Sequence, residues 1–298
     1  MSMNFDYGNI LTRSFQLTWK HKSFWLFTML PMLIGIFIFS AFIAPVFLLD
    51  GNDDEMMVLV LVLWVVVMII GGIASLVAGT AGSASLMLGI LRAERGEGST
   101  SFMDLLRDGF QYFGRTLAVI LILQFSIGAV ITVFFLCVFL LSIVTMGLAT
   151  ICLQPVMILL TPVSFLVIAI MDGALVTLID EDLGAWDAIK RAFQVVREHV
   201  WKFIILTLIV YFGSTILSSI FVFPAMIPAM AAPIFMETDI IGPVMTLIFG
   251  AFVCLFFPLM TLFSGIVGTF MTYVLSLSYL RLKRPPEQAA ASESLPTA

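Results

Sequence analysis

Residues 56–91 read MMVLVLVLWVVVMIIGGIASLVAGTAGSASLMLGIL, 36 positions without one Asp, Glu, Lys or Arg. A bilayer core about 30 Å thick is crossed by roughly 20 apolar residues in a helix. Lipid also demands that a spanning segment satisfy its own backbone hydrogen bonds, which a single helix does. The stretch therefore reads as a membrane helix. Further uncharged stretches lie at 23–49, 116–171, 203–236 and 240–280. The run 116–171 is too long for one crossing. It divides near 142–155, where Thr145, Gly147, Thr150 and Pro155 interrupt it with turn-tolerant residues. Six spans result, and the alternative is a re-entrant segment or a seventh crossing hidden in one long stretch.

Composition agrees with this reading. Hydrophobic residues make up 61% of the chain and charged residues 11%, whereas a soluble domain carries about 25% charged residues. The net charge of −5 is small, unevenly placed, and points to no nucleic-acid partner. Cys137, Cys152 and Cys254 sit in apolar stretches without metal-ligand spacing and are expected to be small apolar residues in helices. The first apolar run is too long for a signal h-region, so no cleavable signal is expected. Residues 1–284 form a single expected membrane domain. The segment 285–298, PPEQAAASESLPTA, has the composition of a disordered tail.

Lysine and arginine orient the spans, because cytoplasmic loops carry their excess. With six spans, all 14 Lys and Arg fall on one side, and the opposite loops hold only Asp50, Asp53, Asp54, Glu55, Glu237 and Asp239. A multi-pass protein of the cytoplasmic membrane with both termini in the cytoplasm is expected. Trp19, Trp25, Trp186 and Trp201 flank the inner ends of the spans, at the headgroup level that indole favours, and only Trp64 lies inside one.

An octapeptide recurs without gaps. NILTRSFQ (9–16), DLLRDGFQ (104–111) and DAIKRAFQ (187–194) share Asn or Asp at the first position and Leu or Ile at the third. They also share a small residue at the sixth and Phe-Gln at the close, and each precedes a pair of spans. In the third copy Trp186, Ile189, Phe193, Val196 and Val200 fall on one helical face, with Asp187, Lys190, Arg191, Gln194 and Arg197 on the other. Such a helix lies in the membrane plane. The opening Asn or Asp suits a helix N-terminus, and the small residue before Phe predicts close approach of another backbone. The expected fold is all-α integral membrane, with six transmembrane helices in three repeats of one in-plane amphipathic helix and two spans. The repeat units cover about 5–91, 102–178 and 185–284. His21 and His199 take equivalent positions where the in-plane helix turns into the crossing, and Thr116 stands there in the second copy.

The stretch 178–203, LIDEDLGAWDAIKRAFQVVREHVWKF, and the closing YVLSLSYLRLKR at 273–284 resemble recurrent elements of a group of poorly characterised prokaryotic membrane proteins. That group includes the membrane domain found ahead of glycerophosphodiester phosphodiesterase catalytic domains. The resemblance implies a six-span helical domain, often without known activity. Two features depart from the pattern. Only residues 285–298 follow Arg284, so phosphodiesterase activity is not implied. Ser278 and Tyr279 also stand where an acidic residue commonly precedes the closing Leu-Arg.

No phosphate-binding loop, zinc-protease motif, nucleophile elbow or Ser/His/Asp grouping occurs. No catalytic residue, metal site or cofactor is expected. The outer DGNDDE (50–55) lacks the spacing of a calcium loop and reads as an acidic loop. Asp172 is the candidate intramembrane polar site. It lies eight residues before Asp180, about 12 Å deeper along a helix. It either faces the bundle or a wet cavity, as intramembrane charges do, or sits at the headgroups because its span ends early. Gly71, Ser75, Gly79 and Ser83 form a small-residue stripe for helix packing. His21, His199, Lys190, Arg191, Arg197, Phe15, Phe110 and Phe193 are the candidate interfacial, lipid-contacting residues. They predict contact with anionic headgroups on the inner face, and a docking face for a protein partner. The expected function is that of a membrane scaffold or accessory protein at the cytoplasmic lipid interface. The alternative is a transporter or channel for a small or lipid-like solute. A polar cavity reaching Asp172 is the observation that favours the alternative.

Overall fold

The computed structural model describes residues 6–48, 54–96, 101–145, 154–236 and 241–283. Among them all regular structure is helical. Short and long helices follow a fixed rhythm. The short α1 (Tyr7–Lys20) precedes α2 (Trp25–Leu48) and α3 (Asp54–Glu94). The short α4 (Phe102–Gln111) precedes α5 (Phe113–Val144) and α6 (Gln154–Asp180). The short α7 (Ala185–Glu198) precedes α8 (Val200–Met236) and α9 (Ile241–Lys283).

Five helical segments are long and apolar enough to cross a bilayer. A sixth is reached when α2 is counted with α1, from which it is bent by 86°. The chain is thus an all-α, multi-pass membrane protein. Its long helices exceed what a crossing needs. At 1.5 Å per residue, α3 with 41 residues and α9 with 43 are roughly 60 Å long, about twice the hydrocarbon core. The surplus lies partly at the charged end, where α3 continues to Glu94 and α9 to Lys283.

Side chains of α3 such as Val58, Leu61, Ile69 and Ile73, and of α5 such as Phe125, Val133, Phe139 and Val144, are exposed. This is the pattern of a lipid-facing surface, since lipid tails are as apolar as the side chains that meet them. The most apolar window of α3 and of α5 is 0% buried, whereas that of α6 is 56% buried, so α6 is the enclosed helix. The described core gathers toward the end where the basic residues lie. It includes Phe24 and Phe27 of α2, Met87 and Ile90 of α3, Leu175 and Leu178 of α6, and Tyr273 and Tyr279 of α9.

Ion pairs tie that end together across elements. Arg13 of α1 meets Glu94 of α3 at 3.2 Å, and Arg92 meets Asp108 of α4 at 2.7 Å. Arg95 and Lys283 converge on Asp180 at 2.9 and 2.8 Å, Lys283 also reaches Glu181 at 2.6 Å, and Arg115 pairs with Asp182. Residues 50–53 of the acidic loop 50–55, the segment 146–153, residues 237–240 and the tail 285–298 lie outside the described residues, while Asp54 and Glu55 begin α3. Cys152 and the side chain of Cys254 also lie outside them, while Cys137 is exposed and free.

Candidate intramembrane site

The helix α6 runs unbroken through Asp172 and ends at Asp180. Asp172 is only 8% exposed, among buried neighbours on a fully packed face. Its carboxylate lines a cavity of about 230 Å³ walled by α2, α3, α5, α6 and α9. The polar side chains there are Thr28, Ser83, Asp172 and Thr272, and the rest of the wall is apolar or glycine. Among the described residues no Lys or Arg lines it. Nor does Asp172 have a hydrogen-bond or ion-pair partner among the described residues.

Small residues bring the backbones close enough to form this wall. A Cβ on Gly82 would stand 2.8 Å from the carbonyl oxygen of Phe27, so only glycine allows α3 to approach α2 there. Gly173, beside the carboxylate, has the ring of Tyr279 where its Cβ would be, 2.7 Å away. Thr177 Oγ1 then lies 2.8 Å from both Gly173 O and Tyr279 Oη, which locks α9 onto α6 one turn beyond Asp172. On the other wall Thr28 Oγ1 lies 2.8 Å from Gly265 O and 3.0 Å from Thr269 Oγ1, joining α2 to α9.

The expected small-residue stripe faces this assembly. Gly71 packs against Ile38 and Gly79 against Pro31, both in α2, while Ser83 lines the cavity. Ser75 is half-buried on the same face. Thr28, Gly82, Gly173, Thr272 and Tyr279 were not legible as site residues. Isolated threonines and glycines in apolar runs carry no spacing signal, and the site draws them from four helices.

The short helices sit at the charged end, and their three octapeptides are buried alike. The second position (Ile10, Leu105, Ala188) and the sixth (Ser14, Gly109, Ala192) are buried in every copy. The first and last two positions are exposed in every copy, with Phe15, Phe110 and Phe193 at 55, 53 and 51%. Gly109 shows why the sixth residue is small, since its Cβ would lie 2.9 Å from the backbone of Ser85 in α3.

The structure adds detail to two expectations about these helices. Asn9, Asp104 and Asp187 are the third residue of their helices, and Asp6, Ser101 and Gly184 stand at the caps. A negative charge in the first turn still complements the dipole in α4 and α7. The apolar face of α7 is also divided. Ala188, Ala192, Val195 and Val196 pack inward, and Trp186 and Phe193 point outward.

His21 and His199 follow α1 and α7 as their C-caps. His21 stacks on Phe24 with centroids 5.2 Å apart, and His199 Nδ1 lies 3.3 Å from Val195 O. Both contacts are local, and each ring serves its own corner. Lys190, Arg191 and Arg197 are exposed on α7, with Lys190 placed 5.6 Å over the Trp186 ring. No family model, no curated protein and no solved structure matches the chain.

Proposed function

We propose that this chain is a membrane transport protein. It admits a small solute bearing a cationic or hydrogen-bond-donating group to the pocket at Asp172. One observation carries the reading: a carboxylate 8% exposed, with no partner among the described residues, lines a cavity walled by five helices. An unpaired ionised carboxylate away from water is costly, and a protein keeps one where a cation or a proton completes it. The cavity volume of about 230 Å³ is below the roughly 300–1,000 Å³ of drug-sized pockets, so the solute is small. Thr28, Ser83 and Thr272 supply hydroxyls to orient it, and the apolar remainder of the wall favours a compact organic cation such as a short alkylamine.

The test is thermal stabilisation of the purified full chain by a panel of short primary and quaternary alkylamines, followed by uptake in proteoliposomes. Wild type is expected to be stabilised by at least one member, and Asp172→Asn to lose that shift. The proposal fails if no member acts, or if Asp172→Asn responds as the wild type does.

A second reading, the membrane scaffold at the lipid interface, is favoured by the exposed Phe15, Phe110 and Phe193 beside exposed cations. In this reading the short helices are repeated in-plane units forming a collar at the cytoplasmic rim of the cytoplasmic membrane. Their common burial pattern supports the repeat, and the basic end supports the orientation with both termini inside. Near an anionic leaflet each such cation contributes about 1 kcal/mol of attraction. The resemblance to prokaryotic membrane domains that precede glycerophosphodiester phosphodiesterases fits the same six-span plan.

A further inference from the structure

A second cavity, of about 500 Å³, lies on the outer side of the bundle where α7 crosses α5 and α6. Its floor is aliphatic. Leu123 and Ile127 of α5, one turn apart, face Val167 and Ile170 of α6. Its rim is the polar edge of α7, with Lys190, Gln194 and Arg197. The two cations are seven residues apart, two turns or about 10 Å along the helix. Both are exposed, and neither has a carboxylate partner among the described residues. That sets them apart from Arg13, Arg92, Arg95, Arg115 and Lys283, each of which is paired with an acid. Asp187 and Glu198 share the helix without coming within ion-pair distance of either cation.

We propose that this groove is a site for one anionic phospholipid. The phosphate is held between Lys190 and Arg197, and an acyl chain lies along the α5–α6 seam beneath α7. Charge and shape agree on that occupant. An anion alone leaves the aliphatic floor unexplained, and a chain without a charged head leaves beside it two cations with no carboxylate partner among the described residues. Gln194 stands between the cations and can donate to a glycerol or phosphate oxygen. Phe193 lines the groove beside these polar groups. The inference rests on the lipid-interface reading of α7 and is independent of the transport reading.

Native mass spectrometry of the detergent-solubilised full chain, titrated with dioleoyl phosphatidylglycerol or dioleoyl phosphatidylcholine, tests it. Wild type is expected to take one phosphatidylglycerol per chain at least about tenfold more tightly than phosphatidylcholine. Lys190→Gln with Arg197→Gln should bring the two lipids to equal affinity. Leu123→Trp should weaken both, while Lys20→Gln with Lys22→Gln leaves the preference intact. Soluble glycerol phosphate should not compete. Equal binding of the two lipids by wild type overturns both this site and the collar. A preference lost equally in the Lys20 and Lys22 variant leaves the collar standing and overturns the groove, as does full competition by glycerol phosphate.

Discussion

At the scale of single residues, environment separates side chains that look alike in the sequence. His21 and His199 occupy matching positions, yet His21 stacks on Phe24 whereas His199 Nδ1 lies 3.3 Å from Val195 O. Burial against Phe24, and then the adjacent Lys20, hold the His21 imidazole below the ordinary value of 6.5. The protonated ring is thus the disfavoured form in the folded chain. Stability from this group is present above about pH 6.5, where the unfolded chain is also neutral, and is lost as pH falls through the depressed value. Melting curves at about pH 8 and about pH 5 should show a larger loss for wild type than for His21→Gln. Equal losses would exclude His21 as a contributor. Asp172 illustrates the same point at greater depth. Its lack of charged neighbours along the chain could be seen in the sequence, but that it has no partner among the described residues depends on side chains from four other helices.

Elements meet through small residues, and these contacts make sharp predictions. Gly109 of α4 sits against Ser85, with a would-be Cβ 2.3 Å from its Oγ and 2.9 Å from its backbone. Gly109→Val must push α4 off α3, against the Arg92–Asp108 ion pair and the stacking of Phe102 on Phe27 at 4.5 Å. Overpacking of this kind costs about 1–3 kcal/mol. The melting temperature should fall, and a cysteine introduced at position 105, where Leu105 is fully buried, should become accessible to thiol reagents. Gly114→Ala, with open space around it, is the control and should behave as wild type. The octapeptide pattern made the small residue legible as a contact point. It did not name the neighbour, because Ser85 belongs to a different span 24 positions away in the sequence.

Across the whole molecule, the charged end works as a clasp. Asp180, at the end of the helix that carries Asp172, receives Arg95 from the turn that follows α3 and Lys283 from α9. Lys283 is 12% exposed and Asp180 24%, so these contacts are partly shielded from water. Asp180→Asn should lower stability by about 1–2 kcal/mol after allowance for solvent screening. That corresponds to a melting temperature lower by roughly 3 °C or more. The difference should shrink at high salt, and an unchanged melting temperature would show that apolar packing alone holds the three helices together at this end. Three of the five helices that wall the pocket at Asp172, α3, α6 and α9, thus meet at or next to this clasp.

The sequence by itself determined that this chain crosses a membrane as helices, roughly where the crossings lie, and that its basic residues gather at one end. Each of these follows from local runs of apolar or charged residues acting against lipid and water, which need no knowledge of neighbours. Even the small sixth residue of the octapeptide announced a close contact. Only the tertiary structure decided what that contact was, that the aromatic and small-residue faces of α7 point opposite ways, and that Asp172 turns into the bundle. It alone joined Thr28, Ser83 and Thr272 to that carboxylate. Inside lipid all helix faces are apolar enough to be exposed, so hydrophobicity does not select the inward face. Close fit of glycines and pairing of polar groups does, and both are properties of two helices at once.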